Sequence, residues 1–105
     1  MAVGGRGIIS VASNEIPTEM VRMVEAAERG DFGAARAAHT RILPLMQVNF
    51  VESNPIPVKW AMARMGLLEP VYRLPLVEPS AASKEKIERV LDSVGLLTPA
   101  AMGAR

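Results

Sequence analysis

Hydrophobic and polar positions follow two different periods along this chain. Ile8-Ile9-Ser10-Val11 is a short run rich in β-branched residues, bounded by glycine and polar residues. That pattern predicts a buried strand. From Met20 onward the apolar residues recur at helical spacing. Met20, Met23, Val24 and Ala27 fall at i, i+3, i+4 and i+7, which is one stripe of a helix. Asn14 is placed to cap that helix, Pro17 suits its first turn, and Gly30 stops it. Glu15 and Glu19 suit the positive end of its dipole. A second helix is expected from Phe32, capped by Asp31, to about Phe50. Its buried side is marked by Ala35, Ala38, Ile42, Leu45 and Met46, and Pro44 inside it predicts a kink.

The segment Ser53-Asn54-Pro55-Ile56-Pro57 breaks the pattern, turning the chain before a third helix. Val58, Ala61, Met62 and Met65 make the third stripe, and Gly66 closes it. Leu67 to Pro79 carries prolines at 70, 75 and 79 and predicts an irregular connector. Ser80 or Ser83 begins a fourth helix with Ile87, Val90, Leu91 and Val94 at helical spacing, ended by Gly95. The expected fold class is therefore mainly α: one β-strand, then four helices. A single strand has no partner for its N–H and C=O groups within this chain, so it calls for neighbours from elsewhere.

Composition narrows the function classes. The chain has 105 residues, half of them hydrophobic, enough for one small domain. Twelve basic and eleven acidic residues are interspersed, giving a net charge of +1 and no long run of one sign. Neither a nucleic-acid arm nor an acidic tail is indicated. There is no cysteine, which excludes disulfides, thiolate nucleophiles and Cys-type metal sites. No apolar run approaches the ~20 residues of a membrane span. A soluble, cytoplasmic protein without nucleic-acid or membrane partners is expected.

Local chemistry yields no catalytic constellation. His39 is the one histidine and has no Glu-x-x-His companion, so a structural or surface role is expected and no metal site. Lys84 and Lys86 stand beside Glu85 and Glu88 and look solvated. Lys59, next to Trp60, is expected to be a snorkelling surface lysine rather than a nucleophile. Glu25 and Glu28 lie on an exposed face, and Glu52 is expected to fix the turn before Asn54. Gly4, Gly5 and Gly7 precede the strand, whereas a dinucleotide fingerprint needs them after it. Ser10 lacks a nucleophile elbow. The seven Met residues fall mostly on helix stripes, where core filling is the ordinary role.

Three blocks in order carry a family resemblance. Gly7-Ile-Ile-Ser-Val11 with Ser13-Asn14, the helix from Met20 to Gly30 followed by Asp31-Phe32, and Phe50-Val-Glu-Ser-Asn-Pro-Ile-Pro-Val-Lys-Trp60 resemble the C-terminal part of the dihydrodipicolinate synthase (4-hydroxy-tetrahydrodipicolinate synthase) family. Arg73-Leu74-Pro75-Leu76 and Val94-Gly95-Leu96-Leu97 continue the likeness, which covers residues 4 to 97.

The resemblance implies a (β/α)₈ barrel with a C-terminal helical domain. It implies a class I aldolase-type lyase of lysine (diaminopimelate) biosynthesis, in which a lysine Schiff base with pyruvate condenses with aspartate semialdehyde. Residues 1–30 would be the last strand–helix unit of that barrel, 31–97 the helical domain and 98–105 a frayed tail. Carried over by position, Ile9 matches the isoleucine whose backbone lines the pyruvate site. The Schiff-base lysine and the proton-relay tyrosine and threonines have no counterpart here, and Tyr72 does not match that tyrosine. No catalytic residue, metal or other cofactor is therefore assigned. Pyruvate is a partner only in a complete barrel, and a homo-oligomer is expected. The chain is expected to be a segment of that enzyme, inactive alone. The alternatives are a stand-alone helical interaction module and, last, a small lyase using Lys59.

Overall fold

A computed structural model describes residues 1–97. The expected fraying of 98–105 lies outside the described residues. Four helices form: α1 (Pro17–Glu28), α2 (Phe32–Val48), α3 (Ile56–Arg64) and α4 (Ala81–Ser93), with a 3-10 turn at Ala12–Asn14. No strand is present among the described residues. The run Ile8–Val11, expected to be a strand, forms none, and Ile9 is fully exposed. The reason is the missing partner: a strand is defined by a ladder to a neighbour, and this segment has none.

The helix ends follow local chemistry. Asp31 caps α2, its side chain accepting from the Ala34 N–H at 3.1 Å. Ser80 caps α4 in the same way through the Ser83 N–H at 3.2 Å. The start of α1 departs from expectation. Asn14 turns back, donating from Nδ2 to the Val11 carbonyl at 3.0 Å, and Ile16 is the residue flanking the helix. Proline at 17 explains this. It is pre-set for a first helical position and drives the residue before it out of the helical region, and Ile16 sits at φ −131°, ψ 58°. At the other end Gly30 adopts φ 78°, which lets Asp31 N–H reach the Ala26 carbonyl at 2.9 Å and close the last turn. The same closure recurs at Gly66 and Gly95. Helical geometry continues through Pro44, whose ring is on the exposed side of α2.

The 3-10 turn packs on α1 and α3, α1 on α2, α2 on α4, and α4 on α3. Their shared core is Ala12, Ile16, Met20, Ile42, Leu45, Val48, Ala61, Ile87 and Leu91. Leu45, Ile87 and Leu91 are completely buried, each worth roughly 1.5–3 kcal/mol of apolar transfer. The predicted stripes thus face inward: Met20 on α1, Ile42 and Leu45 on α2, Val58 and Ala61 on α3, Ile87 and Leu91 on α4. Ion pairs brace the outside. Arg64 meets Glu88 at 2.8 Å between α3 and α4, and Arg41 of α2 pairs with Glu19 of α1.

Candidate functional site

Ile9 opens onto a cavity of about 500 Å³. One wall is the segment from Ile9 to Asn14. The other combines Met46 and Phe50, at the end of α2, with Asn54 and Val58, at the start of α3. Two local devices bend the first wall. Ser13 Oγ donates to the Ser10 carbonyl at 2.6 Å, and the Ser13 N–H donates to Ser10 Oγ at 3.2 Å. The second wall turns through the Ser53–Pro55 segment, where Ile56 N–H reaches the Ser53 carbonyl at 2.9 Å. Apolar side chains therefore frame a mouth that carries two amides, Asn14 and Asn54.

Next in the chain to residues of the two walls is a buried polar pair that sequence reasoning did not bring together. Asn49 Nδ2 donates to Glu15 Oε2 at 2.7 Å, across 34 residues of chain. Glu15 is 5% exposed and Asn49 is fully buried. Burial pushes the Glu15 carboxyl up to about 7, and the Asn49 hydrogen bond only partly opposes this. Nothing in the sequence pairs two polar residues so far apart; Glu15 reads as a dipole partner of α1 and Asn49 as part of the turn.

The other candidates are scattered. Glu52, expected to fix the turn before Asn54, acts instead at the start of α4: its Oε1 accepts the Ser80 N–H at 2.9 Å. That backbone bond, with the Ser83 and Ser80 side chains after it, holds its pKa below the usual carboxylate value. Lys59 Nζ lies 5.2 Å from the Tyr72 ring centre. Lys84 Nζ lies 4.5 Å from the Trp60 ring centre and 2.7 Å from Glu78 Oε2. These are cation–π and ion-pair contacts that press the 67–79 connector onto α3 and α4. Burial, then the Glu78 charge, raises the Tyr72 pKa.

His39 is exposed in a separate groove between α1 and α2, beside Phe32 and Ile8. Glu28 pairs with Arg6 at 3.1 Å, while Glu25 and Lys86 are exposed. Among the described residues no three His, Asp or Glu side chains are grouped to hold a metal, and no helix is long and apolar enough to cross a membrane. The arrangement around Ile9 can shelter a small organic molecule and offer it amide and backbone hydrogen bonds. Among the described residues that line it there is no Lys, His, Asp or Glu.

A family model described as the dihydrodipicolinate synthetase family matches residues 1–94. The chain is 52% identical over 97 residues to a 4-hydroxy-tetrahydrodipicolinate synthase of Pelodictyon phaeoclathratiforme, covering 92% of this chain and 33% of that one. Among solved structures it is similar to a dihydrodipicolinate synthase from Aquifex aeolicus, at 42% identity and a TM-score of 0.89, covering 93% of this chain and 33% of that one. It is also similar to a chloride-inhibited dihydrodipicolinate synthase from Acinetobacter baumannii complexed with pyruvate, at 36% identity and a TM-score of 0.86, covering 90% and 33%. The chain spans about a third of the length of the curated relatives it matches.

Proposed function

This chain belongs to the dihydrodipicolinate synthetase family, and on that premise we propose that it serves a lyase of lysine biosynthesis that condenses pyruvate with aspartate semialdehyde. Within that enzyme the chain contributes one wall of the pyruvate site at Ile9. The chemistry, a Schiff base between a lysine and the keto acid, belongs to residues outside this third. In this reading residues 1–30 complete a barrel, residues 31–97 form its helical domain, and the enzyme works in the cytoplasm as a homo-oligomer.

The observation that carries the reading is the coincidence of the family match with the cavity at Ile9. Barrel enzymes build their sites at the C-terminal ends of the strands, and Ile9 stands just before the chain turns into Ala12–Asn14. The three lysines fit other roles. Lys59 and Lys84 lie over aromatic rings, and Lys86 is exposed, whereas a Schiff-base lysine needs desolvation or a neighbouring cation.

Two experiments test this together. A chimera carrying this chain in place of the matching third of the Aquifex aeolicus enzyme is expected to condense pyruvate with aspartate semialdehyde. The 105-residue chain treated with pyruvate and borohydride is expected to gain no mass. A folded but inactive chimera defeats the proposal, and so does pyruvate trapped on Lys59 of the chain alone. A second reading, a helical interaction module, draws on the exposed Ile8, Ile9, Phe32 and Phe50 side chains.

A further inference from the structure

Two segments far apart in sequence make the walls of the Ile9 cavity, and Glu15 and Asn49 each sit at the root of one. Glu15 follows directly on the Ala12–Asn14 turn. Asn49 immediately precedes Phe50 and lies three residues after Met46, both of which line the cavity. The bond between them, 2.7 Å from Asn49 Nδ2 to Glu15 Oε2, ties together the chain segments that continue into the two walls.

The atoms left over on this pair are informative. Glu15 Oε1 and Asn49 Oδ1 are both buried and have no hydrogen-bond partner. Both are oxygens. With an ionised carboxylate both are acceptors, so neither can serve the other, and each remains a costly orphan in an apolar setting. A proton on Oε1 supplies the missing donor, and Asn49 Oδ1 is a matching acceptor. Carboxylic acid and carboxamide then present complementary forks, N–H to oxygen on one side and O–H to oxygen on the other.

The surroundings favour the neutral form. The pair sits with the core side chains Ala12, Ile16, Leu45 and Val48 adjacent to it in the chain or one turn away. Charged side chains of the packed elements are paired with one another or exposed, as Glu25 of α1, Arg36 of α2 and Lys86 of α4 are. Glu19 of α1 pairs with Arg22 and with Arg41 of α2. Lys59 of α3 faces Tyr72, and Arg64 of α3 pairs with Glu88 of α4. None of these bonds Glu15, and burial is the chief influence on its carboxyl.

We propose that Glu15 and Asn49 form a neutral acid–amide clasp that sets the spacing between the two walls of the Ile9 cavity. They are positioning residues: neither is among the residues that line the cavity. The clasp deepens the reading above and rests on it only for what the cavity holds. Loss of the Glu15 proton leaves one bond of two and a buried charge, and the walls part or admit water.

Methyl NMR of the 105-residue chain, without pyruvate, tests the clasp independently of the lyase assignment. The reporters are the Ile9 δ1 and Met46 ε methyls, with Ile87 as a distant control. Both cavity methyls are expected to shift together as pH rises, with a common midpoint near 7, while Ile87 stays still. Glu15→Gln keeps a neutral fork toward Asn49, so it is expected to hold both methyls near their acid positions at every pH. His39→Gln removes the one imidazole and is expected to leave the titration in place. Glu15→Ala is expected to move both methyls away from the acid positions. Should that variant fail to fold, the wild-type and Glu15→Gln titrations decide alone. Cavity methyls that do not respond to pH in the wild type overturn the proposal, as does a titration that survives Glu15→Gln.

Discussion

A carboxyl whose pKa rises from 4.5 in the open chain to about 7 on burial takes up protons on folding throughout that interval. The unfolded chain binds fewer protons there, so stability falls as pH rises. The contribution of Glu15 is therefore complete below pH 4.5, fades up to about 7, and is absent above it. At 1.36 kcal/mol per pH unit the span corresponds to about 3 kcal/mol. Urea unfolding of wild type and Glu15→Gln is expected to show it: relative to the variant, the wild type loses about that much between mildly acidic and alkaline pH. A constant difference between the two would refute it. Glu52 runs the other way. Its lowered pKa, due first to the Ser80 N–H, adds stability above the ordinary carboxylate value that is lost as pH falls. Two glutamates of one small chain thus respond to acid with opposite signs, because one is buried against an amide and the other is solvated at a helix start.

At the scale of elements, the start of α4 is the most dependent on side chains. Ser80 uses both its groups there: the hydroxyl accepts from Ser83 and the backbone N–H donates to Glu52. Ser80→Ala is expected to lower stability by about 1 kcal/mol. Ser80→Asp, ordinarily an equal cap, is expected to do no better, because its carboxylate would face that of Glu52. Thermal melts of the two variants check this, and full retention of stability in Ser80→Asp would show that Glu52 does not act there. Helix positions of this kind were legible in the sequence, since Asp31, Ser80, Gly30 and Gly66 act on the residues next to them. The start of α1 was misplaced by two residues, from Asn14 to Ile16 as the capping position, because Pro17 overrides the capping preference of Asn14. The strand was expected from β-branched composition, and composition carries no information about whether a partner strand is present. Of the candidate site, Ile9 was singled out through the family motif, while Glu15, just before α1, and Asn49, just after α2, meet only through tertiary packing.

The whole molecule is a slab of 43 × 32 × 21 Å with a radius of gyration of 14.9 Å, against about 13 Å for a compact chain of 100 residues. Its N-terminal edge keeps apolar side chains in solvent, with Val3 and Ile9 wholly exposed and Ile8 half so. The 105-residue chain alone is expected to self-associate through this edge. Sedimentation velocity should show its average mass rising with concentration, and Ile8→Ser with Ile9→Ser should suppress the rise; a monomer at every concentration would contradict the expectation. The last helix behaves differently. Helix α4 is seated by Ile87 and Leu91 in the core, by Arg64 on Glu88 and by Glu52 at its start. Most of its hold on the molecule is therefore lateral and owes little to the peptide bonds leading into it. The exposed stretch at 73–75, between the anchored Tyr72 and Glu78, becomes a tolerant seam, where evolution or a protein engineer can change length, add a label or move the chain ends with little disturbance at Ile9.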